Sequence, residues 1–222
     1  NNKIKVFSID SNYPPVLDKI QFNFLDKIQY KLFKIYLQLL CKGSIYDRSK
    51  RLEHILQKTV NNIIIENNIN NIIVSGAPFS LLYYVTKHFK NNTNIISDFR
   101  DPWTKGIGYG MSLLSRRRMN FEKVCEAFVL KHSNNITCAS KDLSIMLDDQ
   151  LLQYNRKSIV LLNTDFPNQK RNKKKHQKKT SKNDFKLAHI GTIPLGTERY
   201  WLKFLELLNS SKCNIKLDVY SN

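Results

Sequence analysis

Apolar residues recur along the first part of the chain at Leu17, Ile20, Phe24, Ile28, Leu32, Ile35 and Leu39. Steps of three and four place them on one stripe, so the spacing predicts a helix from Val16 to Lys42. Gly43 follows, where a left-handed residue closes a helix. Lys27, Lys31 and Lys34 share one flank of the stripe, which makes the helix basic and amphipathic. Two readings are open for it: a surface helix packed on the core, or a helix lying on a membrane surface. Ahead of it, Lys3 to Ile9 has strand character until Tyr13-Pro14-Pro15 stops it.

A second helix is predicted from about Arg48 to Asn67, followed by a short strand, Ile72 to Ser75. Gly76-Ala77-Pro78 then turns the chain into a helix beginning at Phe79 or Ser80. The next strand ends at Ser97, and helical pattern resumes near Met111 and continues through Glu122, Glu126 and Leu130. Ile136 to Ala139 is another strand, Ser140 is placed to cap a helix through Leu143, Met146 and Leu147, and Ser158 to Leu162 is a strand. Strands alternating with helices predict an α/β chain with a mostly parallel, doubly wound sheet and helices on both faces.

From Gln169 to Lys182 the chain is almost wholly polar and basic, which predicts a linker or mobile loop with nothing to pack. Phe185 to Ile190, Glu198 to Leu208 and Ile215 to Val219 then read as strand, helix and strand. The expected organisation is a first domain over 1–166, a basic linker over 167–184, and the start of a second domain over 185–222. Two strands hold too little core to stand alone, so the natural protein is expected to extend beyond Asn222, and also before Asn1.

Hydrophobic residues form 41% of the 222, enough for a packed core. The formal charge of +18 favours an anionic partner, although lysine- and asparagine-rich composition accounts for part of it. Cys41, Cys125, Cys138 and Cys213 are far apart with no metal-ligand spacing, and read as reduced, mostly buried thiols. No apolar run reaches the ~18 residues a spanning helix needs. The expected location is the cytoplasm, with a peripheral position on the inner face of the membrane.

The richest chemistry lies in Ile95-Ile96-Ser97-Asp98-Phe99-Arg100-Asp101-Pro102-Trp103. A β-branched run leads into two carboxylates, a guanidinium, a proline and an indole. Ligands of open α/β sheets bind outside the carboxyl ends of the strands, so this is a candidate site. Asp98 and Arg100 can equally form a buried structural pair, and Trp103 can belong to the core.

Val74-Ser75-Gly76-Ala77-Pro78-Phe79-Ser80 followed by Asp98-Phe99-Arg100-Asp101-Pro102-Trp103 resembles the N-terminal domain of family 4-type glycosyltransferases of the GT-B fold. Glu126 ahead of Ile136 to Ser140, Asn163-Thr164-Asp165-Phe166, and His189-Ile190-Gly191-Thr192 follow in the order of that family, with Thr164 where the family has glycine. The likeness runs from about Arg48 to Val219. The helix from Val16 to Lys42 has no counterpart in it, and the Arg and Lys-Gly pair expected after Gly191 is missing, with Arg199 the nearest substitute.

The resemblance implies a Rossmann-like acceptor domain followed by the first β-α-β of a Rossmann-like donor domain. It implies transfer of a sugar from a nucleotide-diphosphate sugar, with no bound cofactor or metal, to a glycan or lipid-linked acceptor in surface polysaccharide or glycolipid synthesis. Asp101, Asp98 and Arg100 would carry catalysis, and Gly76, Ala77, Pro78, Ser80, Trp103, Gly191, Thr192 and Arg199 would bind substrate. This chain alone would be inactive, since most of the donor half lies elsewhere. An anionic membrane surface is a further expected partner, through the basic helix and Arg116-Arg117-Arg118. The alternatives are a basic nucleic-acid or membrane-surface binding module without catalysis, or a GT-B relative such as a nucleotide-sugar epimerase. Nucleic acid is disfavoured because no basic-aromatic recognition motif is present.

Overall fold

The computed structural model describes residues 4–10, 13–19, 21–106, 110–162, 184–190, 198–211 and 214–220. The chain divides into two compact units, Asn1–Leu162 and Asn163–Asn222.

In the first unit, helices α1 (Phe24–Leu40) and α2 (Glu53–Asn67) precede a regular alternation. Strand β1 (Asn71–Gly76), α3 (Phe79–Phe89), β2 (Asn94–Phe99), α4 (Arg116–His132), β3 (Asn135–Cys138), α5 (Lys141–Leu151) and β4 (Ile159–Val160) follow in order. The four strands form one parallel sheet in the order β1-β2-β3-β4. Helix α3 packs on β1 and β2, and α5 on β3 and β4. This is the α/β class read from the alternation, a parallel sheet flanked by helices and consistent with a Rossmann-like fold.

Successive strand residues point to opposite faces. Val74, Ile95, Phe99, Ile136 and Cys138 enter the main core with Phe79, Leu82 and Phe89 of α3, Val129 and Leu130 of α4, and Leu147 and Leu151 of α5. The opposite face carries Ile73, Ser75, Asp98, Thr137 and Ile159, and there Ile73 is 71% exposed. Ser140 caps α5 as expected, its hydroxyl accepting from the Leu143 N–H at 3.1 Å. Cys41, Cys125 and Cys138 are free and buried, and burial pushes the Cys125 thiol up to about 12.

Several expected elements differ. Residues 4–10 form no strand. The long first helix is interrupted: a 3-10 turn spans Pro15–Asp18, and α1 begins only at Phe24. Asn23 starts it with a capping box, Oδ1 accepting from the Asp26 N–H at 2.7 Å while Asp26 accepts from the Asn23 N–H. The second helix starts at Glu53 rather than Arg48, because Asp47 holds the chain in turns by accepting from the Ser49 N–H and hydroxyl. Strand β2 runs two residues past Ser97, which draws Asp98 and Phe99 into the sheet.

Helix α1 departs most from a core-packing helix. Phe24, Ile28, Leu32, Ile35 and Leu39, the stripe read from the sequence, are 77%, 43%, 62%, 53% and 82% exposed. The side turned to the protein carries Asp26 and Leu37 instead, and Leu37 packs with Cys41 and Ile45 in a small separate core.

In the second unit, β5 (Asp184–Ile190) pairs in parallel with β6 (Asn214–Tyr220), and α6 (Glu198–Asn209) lies between them in sequence. Residues 167–183 of the predicted linker, Asn163 to Phe166, Gly191 and Thr192 fall outside the described residues, whereas Asp184, expected to end the linker, opens β5.

Candidate functional site

Gly76 ends β1 directly opposite Phe99, which ends β2. The Ser-Gly-Ala-Pro turn and the Asp-Phe-Arg-Asp-Pro-Trp segment therefore leave the sheet side by side at its carboxyl edge. Both peptide bonds flanking Ala77 are cis. Pro78 occupies the N-cap of α3 and offers no side-chain acceptor to the first turn. That acceptor comes from elsewhere in sequence: the Ser80 N–H donates to Asp47 Oδ2 at 2.8 Å. A buried carboxylate thus sits where the exposed N–H groups of a helix start would otherwise attract an anion.

Beside this turn lies a cavity of about 310 Å³ lined by Tyr46, Asp47, Arg48, Ala77, Pro78, Phe79 and Met111. Its walls are largely apolar, and Arg48 supplies a cation with fixed planar donors. Such a lining suits a ligand with an apolar or ring-shaped body and an anionic group. Ala77 and Pro78 are the two sequence-predicted residues in the lining.

The remaining predicted residues separate into distinct roles. Asp98 lies on the sheet face and bridges three strands: it accepts from Ser75 Oγ at 3.0 Å on β1 and from Thr137 Oγ1 at 2.7 Å on β3. Arg100 Nε donates to the same carboxylate at 2.6 Å. Both oxygens of Asp98 are thus engaged, and 4% of its surface is exposed. Asp101 follows the strand end and is half-buried. Gly76 is packed against Phe79 and Leu82, where a side chain would crowd α3. The Ser80 side chain is buried within α3. Arg199 is exposed near the start of α6 in the second unit.

Trp103, expected either to bind substrate or to belong to the core, lies in the core. Its ring is buried, stacks on Phe79 at 5.2 Å between centroids, and donates through Nε1 to Glu122 Oε2 at 2.8 Å. Glu122 is wholly buried and also accepts from the Ser44 N–H at 2.6 Å and from Lys50 Nζ at 2.8 Å. Gly43 has φ of 73°, and a Cβ on it would run into the Glu122 carboxylate, so two separate constraints require glycine there. Glu122 therefore ties the loop after α1 to the loop after β2.

One turn further along α4, Glu126 accepts from the Thr104 hydroxyl and is also buried. Burial raises the Glu126 carboxyl above the ordinary carboxylate range, against the opposing effect of Thr104. A raised folded-state value means the contribution of this group is fully present below the ordinary glutamate value and is lost as pH rises through the raised one. Denaturant unfolding across pH is expected to show Glu126→Gln gaining stability relative to the wild type as pH rises from about 4.3. A difference that is constant with pH would contradict the buried, proton-retaining carboxyl.

The arginine triplet also divides. Arg116 and Arg117 are exposed, whereas Arg118 donates to the carbonyls of Cys41 at 2.9 Å, Gly43 at 2.6 Å and Gln38. These carbonyls close the carboxyl end of α1, where a cation is favoured. Among the described residues, no cluster of three or more His, Cys, Asp or Glu side chains could hold a metal ion, and no helix is long and apolar enough to cross a membrane. Comparison of the chain with protein-family models, with curated proteins and with solved structures returned no match.

Proposed function

We propose that the first unit is the acceptor-side half of a glycosyltransferase that uses a nucleotide-diphosphate sugar. The observation that carries this reading is the cavity at the end of β1, next to the strand end that bears Asp101. Two motifs that resemble one enzyme family, and that lie 22 residues apart (Gly76 to Asp98), leave the sheet as neighbours at the edge where α/β sheets bind ligands.

In the reaction, an acceptor hydroxyl attacks the anomeric carbon of the donor. The bond from that carbon to the diphosphate oxygen breaks, the nucleoside diphosphate leaves with its electron pair, and the hydroxyl proton passes to a base. Asp101 is assigned as that base from its half-buried place two residues past the end of β2, within the stretch that resembles the family. Asp98 is then a positioning residue that fixes the direction in which the chain leaves β2. Arg48 and the Ala77-Pro78 turn hold the acceptor, with an anionic acceptor group, such as a lipid-linked phosphate, on the guanidinium.

The test is transfer of labelled sugar from a panel of nucleotide-diphosphate sugars to lipid and glycan acceptors, using the protein as it occurs in the cell. Asp101→Asn is expected to lower transfer, measured per folded molecule, by about 100-fold or more. An epimerised free donor with no transferred sugar would replace transfer by epimerase chemistry. Full activity in the Asp101 variant would remove the base assignment.

A further inference from the structure

We infer that α1 is an in-plane membrane-docking helix that seats this protein on an anionic lipid surface. The surface is independent of the sugar-transfer reading, because α1 lies outside the stretch that resembles glycosyltransferases.

Around the axis of α1 the residues fall into three sectors at 100° per residue. Asp26, Tyr30 and Leu37 face the protein, Asp26 and Leu37 being buried and Tyr30 half-buried. Phe24, Ile28, Leu32, Ile35 and Leu39 form a continuous exposed apolar band, widened by Leu25. Lys27, Lys31 and Lys34 each immediately precede a residue of that band, so they line its border between the apolar and protein-facing sectors. A helix that merely completed a core would bury this band; here the core side is the opposite one.

Charge selects the occupant. The single acid of α1, Asp26, is buried and paired with Lys19 at 2.7 Å, so the outward surface of the helix carries lysines and no carboxylate. At the carboxyl end of the band, Leu39 and Leu40 run into a depression of about 560 Å³ also lined by Lys42, Arg117 and Phe121. An apolar band bordered by cations and ending in a basic depression matches an anionic bilayer, with acyl chains against the leucines and phosphate headgroups against the lysines. The 17 residues of α1 extend about 25 Å, short of the ~30 Å apolar thickness, so the helix lies along the surface.

Flotation of the whole chain with vesicles of phosphatidylglycerol and phosphatidylcholine tests this, with phosphatidylcholine vesicles as the comparison. Binding to the mixed vesicles is expected to fall about 100-fold in the triple variant Lys27→Gln, Lys31→Gln, Lys34→Gln, at about fivefold per lysine. The pair Leu32→Gln and Ile35→Gln is expected to lower it at least about tenfold. These side chains are exposed or half-buried, and an unchanged far-ultraviolet circular dichroism spectrum confirms that each variant folds. Absence of wild-type flotation, or flotation undiminished by the Leu32 and Ile35 changes, would overturn membrane docking. Binding indifferent to the lysine changes would overturn the choice of an anionic surface. A dimer in sedimentation that the Leu32 and Ile35 changes dissolve, without vesicle binding, would assign the band to a second copy of the chain.

Discussion

Replacing Glu122 by alanine is expected to remove about 3–5 kcal/mol of stability, enough to unfold a domain of ordinary stability at moderate temperature. The side chain is fully buried and accepts from three groups with different origins: the Ser44 backbone, the Lys50 ammonium and the Trp103 indole. Deleting it leaves the Lys50 side chain, itself 8% exposed, with its charge uncompensated in a site closed to water. A second substitution discriminates the cause. Adding Lys50→Met to Glu122→Gln is expected to recover part of the loss, since removal of both charges avoids the unpaired one. Urea unfolding of the four members of that cycle measures the coupling, and additive effects would mean that the pair is not an interacting unit.

Replacing Asp98 by alanine is expected to cost about 3 kcal/mol, so that any loss of the proposed transfer activity follows the loss of folded protein. Its carboxylate joins β1, β2 and β3 through Ser75, Arg100 and Thr137, so its removal strands two hydroxyls and a guanidinium on one sheet face. Asp98→Asn keeps the shape and is expected to lose about half as much, because its amide group cannot accept from all three donors. The decisive comparison is with Asp101→Asn. Activity lost at Asp98 should track the folded fraction in a thermal melt, whereas activity lost at Asp101 should not. A stable, inactive Asp98 variant would return Asp98 to the chemistry.

The alternation of strands and helices from Ile72 to Leu162 was legible because each element carries its own period and its own punctuation, such as Ser140 before α5. The site was legible only in position. Nothing in the spacing of Asp98 distinguishes a reacting carboxylate from one that accepts from Ser75 and Thr137, since those partners lie 23 and 39 residues away. Asp47 was missed for the same reason: its partner, Ser80, is 33 residues on. One signal was available and unused. Glu122 and Glu126 fall on the same helical stripe as Cys125, Val129 and Leu130, and acids within an apolar stripe announce buried carboxylates that need partners. For α1 the period was read correctly as a stripe, but periodicity cannot say which side of a helix meets the protein. That was decided by the capping box at Asn23 and by Leu37 packing against Ile45.

Arg118 reaches from α4 to three carbonyls at the end of α1 and thereby clamps the outer helix to the body of the sheet. A helix hung on a loose strand of chain would act as a leash, and the body behind it could tumble above any surface it touched. A clamped helix acts as a keel. Whatever plane α1 adopts, the first unit inherits its tilt and its heading, and the mouth of the cavity beside Ala77 is held at one height and one angle.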